Sequence, residues 1–392
     1  MHTAQAKRNS IWARFLAWAR NTPPYRYPNL GLICLGLFVN LIGIGAIVPV
    51  RAIYARDAGA TMAELGLMAS GFLLGQFLFQ LPGGWLSDRI GRKPLLVLGV
   101  TAVGIISFLF LLDDSPWYFI VLRFIEGAAG GAVIPAANAY VIDSVPAKER
   151  GSAFGWVGSA NSAGFMLGPA IGGVMGDWLG YTAPFIFGGV ASLLTAVLLF
   201  VKMTNPKPGT ESVLVEPEGA SVVEEGKIER RVPKRLFVPA LAGALALAIA
   251  SGFGDGLFIS IWTLWLDDLN ASTSYIGLTF ITFSLPLMFM MPFTGKMADK
   301  YRLAPLIFVP GMLISTVYFT YGFTTDLFLI AALGIFEGAM IALMDPAIRA
   351  FTANLSPDNA RGRIQGIVSG VRTITGFTSS MLVAVLYGIN MG

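Results

Sequence analysis

The stretch Gly84-Trp85-Leu86-Ser87-Asp88-Arg89-Ile90-Gly91-Arg92-Lys93-Pro94 is a short, strongly charged segment between two long apolar runs. Its one acid and three bases would lack partners in the core of a soluble protein, where a buried charge needs pairing. The pattern is typical of a turn at a membrane surface, where one spanning helix ends and the next begins. Because basic residues are enriched in cytoplasmic loops, the three bases favour the cytoplasmic side for this turn.

The composition of the whole chain supports a membrane location. Of its 392 residues, 55% are hydrophobic and 13% are charged, whereas about a quarter of the residues of a soluble domain are charged. The mean hydropathy is +0.68. Cys34 and His2 are the single cysteine and histidine, so we expect no disulfide framework, no metal site and no cofactor. The composition predicts an integral membrane protein and argues against an enzyme.

Long apolar segments recur along the chain at the length that a bilayer requires, about 20 residues per helix. We predict eleven spans, at residues 30–50, 62–86, 95–112, 117–142, 152–176, 182–202, 236–264, 275–294, 304–323, 327–352 and 363–388. Residues 203–235, rich in Pro, Glu and Arg, predict a solvated linker between a first bundle at 30–202 and a second at 236–392. Within an N-terminal segment at 1–29, Ile11–Arg20 predicts an amphipathic helix on the inner leaflet.

The placement of the bases predicts the orientation. With the N-terminus inside, 22 of the 27 bases fall in cytoplasmic segments. The predicted outer loops hold only Arg51 and Arg56, against eight acids. This bias predicts a multi-pass protein of the inner or plasma membrane with a cytoplasmic N-terminus. It also explains the sequence pI of about 9.1 without a nucleic-acid partner.

An internal repeat appears when the chain is shifted by 211 residues. The aligned blocks are Gly84/Asp88/Arg89 with Gly295/Asp299/Lys300, Glu126-Gly127 with Glu337-Gly338, Pro135 with Pro346, and Arg150-Gly151 with Arg361-Gly362. One ungapped shift fits all of them, which predicts two similar helical halves. Residue 392 corresponds to residue 181, before the sixth span of the first half. We therefore expect a twelfth span beyond a truncated C-terminus; the alternative is an eleven-span protein with an external C-terminus.

Three motifs resemble those of a known family. The stretch at 84–94 closely resembles the loop between helices 2 and 3 of the major facilitator superfamily. The run Arg123-Phe124-Ile125-Glu126-Gly127 is similar to the family's fourth-helix motif, and Gly164-Phe165-Met166-Leu167-Gly168-Pro169-Ala170-Ile171-Gly172-Gly173 resembles the signature of its antiporter branch. The resemblance implies an all-α membrane fold of two pseudo-symmetric bundles of six spans each, and transport by alternating access. The antiporter signature favours export by exchange.

Four acids within predicted spans are candidates for proton coupling. Glu126 shares a helix face with Arg123, three residues away, and is interpreted either as a structural ion pair or as a proton carrier that Arg123 tunes. Glu337, its repeat equivalent, has Gly334 in place of that arginine, which makes it a second candidate carrier. Asp255 lies among glycines and is predicted to line a cavity.

The fourth acid is Asp345, which forms an (i, i+4) pair with Arg349, and for this pair a structural salt bridge is an equal alternative. Polar side chains predicted to line the substrate cavity are Arg123, Asn40, Gln76, Gln80, Asn138, Asn161, Arg349 and Arg372. Arg372 is interpreted as a counter-ion for one of the acids or as a site for an anionic lipid headgroup.

Gating is assigned to the charged loop and to the small-residue signature, namely Asp88, Arg89, Arg92, Lys93, Asp143, Gly164, Gly168 and Pro169. By resemblance, Asp143 pairs with Arg92 or Arg89 when the protein faces outward. Asp88 caps the inner start of the eleventh span near Gly362, and together these contacts lock the cytoplasmic side. The glycines at this spacing allow a close helix contact, and Pro169 bends the helix.

The function predicted from these features is proton-coupled export of lipophilic or amphipathic small molecules, of the multidrug type, by a monomer in contact with membrane lipids. Few polar side chains are available for a sugar or a nucleotide, which need a denser set of hydrogen-bonding groups. One alternative is a lipid or lysolipid flippase. Another, from a different class, is a non-transporting membrane sensor or scaffold on the same fold.

Overall fold

The computed structural model describes residues 22–146, 150–204, 237–355 and 361–391, which are almost entirely helical and contain no strand. A single turn at Pro23–Arg26 precedes eleven long helices. These are α1 (Pro28–Asp57), α2 (Met62–Ile90), α3 (Arg92–Leu109), α4 (Pro116–Ser144), α5 (Arg150–Leu179), α6 (Thr182–Lys202), α7 (Phe237–Asp268), α8 (Thr273–Lys300), α9 (Leu303–Tyr321), α10 (Leu327–Leu355) and α11 (Arg361–Met391).

Ten of these helices are long and apolar enough to cross a membrane, by length and composition. The exception is α5, whose faces toward α1 and α8 are built from glycines instead of large apolar side chains. Each predicted span falls on one helix, and most helices are longer than their spans because charged residues form their last turns. We call the end of the molecule that carries the α2–α3 turn the motif end, and the opposite end the far end.

The first helix corrects the placement of two bases. We predicted Arg51 and Arg56 in an outer loop, but α1 continues to Asp57 and both residues lie on it. Arg51 is buried, and Arg56 pairs with acids of the second half. The prediction was wrong because a hydropathy window ends at a charged residue, whereas a helix continues wherever that charge finds a partner.

The α2–α3 turn depends on one glycine. Gly91 has a φ of +97°, in the region that glycine alone adopts without strain, and it separates the two helices as a single residue. This conformation allows Asp88 on α2 and Arg92 on α3 to lie close together.

The apolar core joins the two halves, α1–α6 and α7–α11, at only one end. At the far end, Leu264 of α7 packs among first-half side chains such as Val50, and Ile53 of α1 packs among second-half side chains such as Leu266. At the motif end, one apolar cluster contains first-half residues only and another contains second-half residues only. The halves therefore share a core at the far end and have separate cores at the motif end, as far as the described residues extend.

Two helix pairs form the main interfaces between the halves, α5 with α8 and α2 with α11. A Cβ added to Gly277 of α8 would lie 2.2 Å from the carbonyl oxygen of Pro169 in α5. A Cβ added to Gly66 of α2 would lie 2.7 Å from Ala384 Cβ and 3.4 Å from the Ser380 carbonyl oxygen, both in α11. Because residues 66 and 169 shift by 211 to 277 and 380, the sequence repeat also relates the two interfaces.

The predicted linker begins with two residues that are packed on the first half. Met203 is buried, and the Thr204 carbonyl accepts a hydrogen bond of 2.5 Å from the Tyr140 hydroxyl. The Thr204 hydroxyl accepts a hydrogen bond of 2.9 Å from the Asn29 amide. The rest of the linker, and the predicted amphipathic helix at Ile11–Arg20, lie outside the described residues.

Candidate functional site

The first half contains a buried cluster of two bases and one acid. Arg123 Nη1 donates to Glu126 Oε2 at 2.8 Å, and Arg51 Nη2 donates to Glu126 Oε1 at 3.3 Å. All three side chains are less than a tenth exposed, and the Arg123 guanidinium lies 4.1 Å from the centre of the Phe72 ring. The predicted Arg123–Glu126 contact is present, whereas the participation of Arg51 was missed. If Glu126 were neutralised, two buried guanidiniums would face each other without a counter-charge.

The equivalent acid of the second half has different partners. Glu337 is 3% exposed and accepts a hydrogen bond of 3.1 Å from the Tyr321 hydroxyl. No base pairs with Glu337 among the described residues. Within the part of the chain that the structure describes, an ionised carboxylate here has a neutral hydroxyl as its hydrogen-bond donor, in surroundings that favour a neutral or compensated group.

Tyr321, which binds this acid, belongs to a cluster of aromatic rings from α7 and α9. Trp262 stacks on Phe258 with ring centres 5.2 Å apart, and it meets Tyr321 edge-on at 5.3 Å. Trp265 contacts the Tyr321 ring at 5.8 Å, and Tyr318 stacks on Tyr321 at 6.4 Å. These rings come from distant segments of the sequence, so no local pattern could predict their grouping.

Two further ion pairs lie in the second half. Arg372 of α11 binds both carboxylate oxygens of Asp255 in α7, at 2.7 and 3.1 Å, which is the predicted counter-ion arrangement. Arg349 binds Asp345 at 2.7 Å within α10. Asp255 and Arg372 are each 44% exposed, and Arg349 is 77% exposed. Because charged groups at membrane depth face protein or water, this exposure is consistent with an aqueous cleft between the halves.

The uncharged polar candidates do not form one group. Asn40 was predicted to line the substrate cavity, but it is buried and lines a small cavity within the first half with Thr195 and Leu199 of α6. The reason is that Gly36 and Gly43 bring this face of α1 against α6. The remaining four candidates are less buried, with Gln76 and Asn161 half-buried and Gln80 and Asn138 exposed.

The charged loop at the motif end makes its described contacts within the first half. Arg92 Nε donates to Asp143 at 3.2 Å, and Arg92 Nη1 also pairs with Asp88. Arg89 lies over the Trp85 ring, and Lys93 lies over the Phe200 ring. Of the two predicted partners of Asp143, Arg92 is the one observed. The Arg92–Asp143 pair is present although the far end is closed, because both residues belong to the first half and do not separate when the halves move. The predicted Asp88 cap near Gly362 lies outside the described side chains.

The small-residue signature of α5 packs against two neighbouring helices, α1 and α8. A Cβ on Gly164 would lie 2.8 Å from the Phe38 carbonyl oxygen, and one on Gly168 would lie 2.8 Å from Gly45 Cα, so both glycines pack on α1. The carbonyl of Pro169, in contrast, contacts Gly277 of the second half. The signature therefore joins the core of the first half to the interface between the halves.

Comparison with known proteins identifies the family. The chain matches the sequence profile of the Major Facilitator Superfamily over residues 33–253 and 244–391. It is 24% identical to the quinolone resistance protein NorA of Staphylococcus aureus strain COL over 92% of this chain and 90% of that one. It is 25% identical to an MFS-type transporter, MJ1560, of Methanocaldococcus jannaschii over 92% of this chain and 89% of that one.

The fold is similar to those of solved transporters. A bacterial homologue of the human lysosomal transporter Spinster superposes with a TM-score of 0.77 at 18% identity, over 95% of this chain and 84% of that one. A D-xylose–proton symporter superposes with a TM-score of 0.69 at 18% identity, over 91% and 90% of the two chains. The eleven helices, the repeated interfaces and the profile match agree, and the chain belongs to the Major Facilitator Superfamily.

Proposed function

We propose that this transporter exports lipophilic or amphipathic small molecules in exchange for protons, by alternating access. The observation that carries the proposal is Glu337, a buried carboxyl group with no basic partner among the described residues, which is bound by the hydroxyl of Tyr321 in an aromatic cluster. The similarity to a quinolone resistance protein and the antiporter-like signature of α5 support export as the direction.

The chemistry of exchange follows from the charge at Glu337. An ionised Glu337 needs a compensating charge, which either a proton or a cationic group on the solute can supply. Since both cannot occupy one carboxylate, the arrival of a proton from outside would release the solute, and loss of the proton inside would restore the site. In a state that exposes them, the rings of Trp262, Trp265 and Tyr321 would offer a lipophilic solute apolar and π surface; Trp262 and Tyr321 are buried in the present state.

The other three predicted carriers are held by arginines. Protonating Asp255 or Asp345 would break an ion pair, with Arg372 or Arg349 respectively, and each arginine is exposed enough to turn to water. Protonating Glu126 would leave two buried bases unpaired. We therefore place Glu337 first in the exchange and Asp255, Asp345 and Glu126 in supporting roles.

We also propose that the protein lies in the cell membrane and acts as a monomer. The 22 bases in the segments joined at the motif end favour the cytoplasmic side for that end, with the N-terminus inside, in the cell membrane. The separate motif-end cores then correspond to a cleft open to the cytoplasm. A monomer suffices for transport, because the charged groups described above come from one chain.

Reconstituted vesicles with an imposed pH gradient test this function. We expect wild-type protein to accumulate a lipophilic cationic dye against its gradient, and the Glu337→Gln variant to lose this pH-driven transport. The matched control is Asp326→Asn, because Asp326 is an acid of the same half whose Oδ1 accepts a hydrogen bond from the Phe328 N–H at the far end. Full pH-driven transport by Glu337→Gln would overturn the assignment of Glu337.

The same vesicles separate the alternatives. Inhibition of dye transport by a dye analogue but not by a lysolipid supports drug export. Competition by the lysolipid alone, or dye binding without movement of any solute, would replace the proposal with a lipid exporter or a sensor, respectively.

A further inference from the structure

The N-termini of α2 and α8 are equivalent in the repeat and begin at the far end. In α2, Thr61 and Glu64 form a complete capping box, in which the Glu64 carboxylate accepts hydrogen bonds of 2.8 Å from the Thr61 N–H and hydroxyl. Glu64 also supplies a negative charge to the first turn, where the helix dipole favours one. The N–H groups of Thr61 and Glu64 are therefore satisfied within α2.

The start of α8 lacks this acid. Ser272 stands in the place of Thr61 and accepts a hydrogen bond from the Tyr275 N–H at 3.2 Å. Tyr275 itself stands in the place of Glu64, and the first turn of α8 contains no acidic residue. The N–H groups of residues 273 and 274, in the first turn of α8, have no partner within the helix and need acceptors from elsewhere.

A residue of the other half supplies them. Asp177, near the end of α5, accepts from the Thr273 N–H at 2.9 Å and from the Ser274 N–H at 2.8 Å. Its carboxylate also accepts from the Thr273 hydroxyl at 2.5 Å. Close approach is possible because Gly173 and Gly176 leave room for Thr273. These are charge-assisted hydrogen bonds across the interface between the halves.

The equivalent interface has no such carboxylate. The repeat places Gly388 of α11 where Asp177 stands in α5, and Gly388 packs against the Met62 side chain at the start of α2. The polar cap is therefore confined to one of the two related interfaces. Opening the far end would separate apolar groups at α2–α11, but at α5–α8 it would also remove the cap from α8.

We propose that Asp177 is a conformational latch that caps α8 from the opposite half and holds the far end closed. The latch acts together with Arg56 of α1, which binds Asp267 and, at 2.7 Å, Asp268, while the Tyr387 hydroxyl donates to Asp268 at 2.6 Å. Its action does not depend on which solute is carried or on how transport is driven. It sets the balance between the far-end-closed and far-end-open states.

Spin labels on equivalent exposed residues measure this balance directly. Leu112 and Phe323 are 73% and 78% exposed, lie in the far-end loops of the two halves, and are related by the repeat. With cysteines at both positions in a Cys34→Ser background, pulsed electron–electron distance measurements report the populations of the two states. For Asp177→Ala we expect the closed-to-open ratio to fall by about tenfold, as for loss of a charge-assisted hydrogen bond.

Two further variants test the contribution of the Thr273 hydroxyl and control for the loss of a helix cap. Thr273→Val retains the backbone bonds and the shape of the side chain, so it should shift the ratio in the same direction by less. Combined with Asp177→Ala it should add only the loss of the hydrogen bond from the Thr273 hydroxyl to the Gly173 carbonyl, at 2.8 Å, which is the partner that remains. Asp326→Ala is the matched control, since Asp326 caps α10 at the same end from its own chain segment and should leave the distances unchanged.

Two outcomes would overturn the latch. One is a wild-type distance distribution in Asp177→Ala. The other is an equal shift in Asp326→Ala, which would mean that any lost cap at this end loosens the closed state. Because the labels report shape and not transport, either result is independent of whether protons drive export.

Discussion

Glu126 and Glu337 occupy equivalent positions in the two halves, and their surroundings determine what each can do. Glu126 is bound by Arg51 and Arg123, whereas Glu337 is bound by the hydroxyl of Tyr321. A carboxylate between two buried bases is mainly a structural counter-charge. A carboxylate whose described partner is a hydroxyl could gain a proton without leaving a described base unpaired.

Substitutions in the Glu126 cluster should therefore have unequal effects on stability. Glu126→Gln leaves two buried guanidiniums without a counter-charge, and we expect it to destabilise the protein by roughly 3–5 kcal/mol. Arg51→Leu leaves the neutral Arg123–Glu126 pair and should lower the apparent melting temperature of the purified protein much less. Asp113→Asn, in an exposed loop, is the control; equal melting temperatures for the first two variants would contradict the cluster as described.

A second prediction at this scale concerns Tyr321. Tyr321→Phe removes the hydroxyl that donates to Glu337 and keeps the ring that packs on Trp262 and Trp265. We expect the pH profile of dye transport to move while the apparent dye affinity changes little. The reverse result, with a weakened affinity and an unmoved profile, would assign Tyr321 to the solute instead of the acid.

Some of these contacts could be predicted from the sequence and others could not. The Arg123–Glu126 pair follows from a spacing of three residues on one helix. The pairing of Asp143 with Arg92 rests on family resemblance. Arg51 was missed because it stands near the end of an apolar run, and its partner is on another helix. Which base meets which acid across helices is decided by packing that no local pattern contains.

At the scale of the helices, glycines determine how closely the halves approach. A side chain at Gly277 would collide with the backbone carbonyl of Pro169, and backbone cannot move aside as the end of a flexible side chain can. The sequence predicted all eleven helices, ten of which have the length and apolar composition of a membrane span. Hydropathy could not predict which face of a helix meets which neighbour, and it ended several helices too early, before their charged last turns.

We expect Gly277→Ala to prevent full closure of the far end. Its Cβ would lie 2.2 Å from the Pro169 oxygen, so the α5–α8 interface must separate. The labels at residues 112 and 323 should then report longer distances. Gly243→Ala in α7 is the matched control, because no atom lies within 4 Å of an added Cβ there. Unchanged distances in Gly277→Ala would show that α5 and α8 accommodate the added methyl group without separating at the far end.

At the scale of the whole molecule, the repeat was visible in the sequence and the conformation was not. A shift of 211 residues aligned the halves, and the same shift relates the α2–α11 interface to the α5–α8 interface. Alternating states of one transporter share one sequence, however, and differ only in which end of the halves is in contact. For that reason no motif could predict the closed far end.

Thiol labelling of intact cells and inverted vesicles should report the orientation. Asn138→Cys replaces an exposed side chain near the motif end, and Leu112→Cys replaces one at the far end. With a membrane-impermeant reagent, in a Cys34→Ser background, we expect Asn138→Cys to react in inverted vesicles and Leu112→Cys to react in intact cells. The opposite pattern would place the motif end outside.

The contact between Arg56 and Asp267 has a consequence for the ancestry of the molecule. The two residues are 211 apart and are equivalent positions of the two halves. In a symmetric dimer of identical subunits, such a position meets its own copy, so opposite charges cannot face each other there. If the halves descend from such a dimer by gene duplication, this ion pair arose only after fusion let the two copies mutate separately.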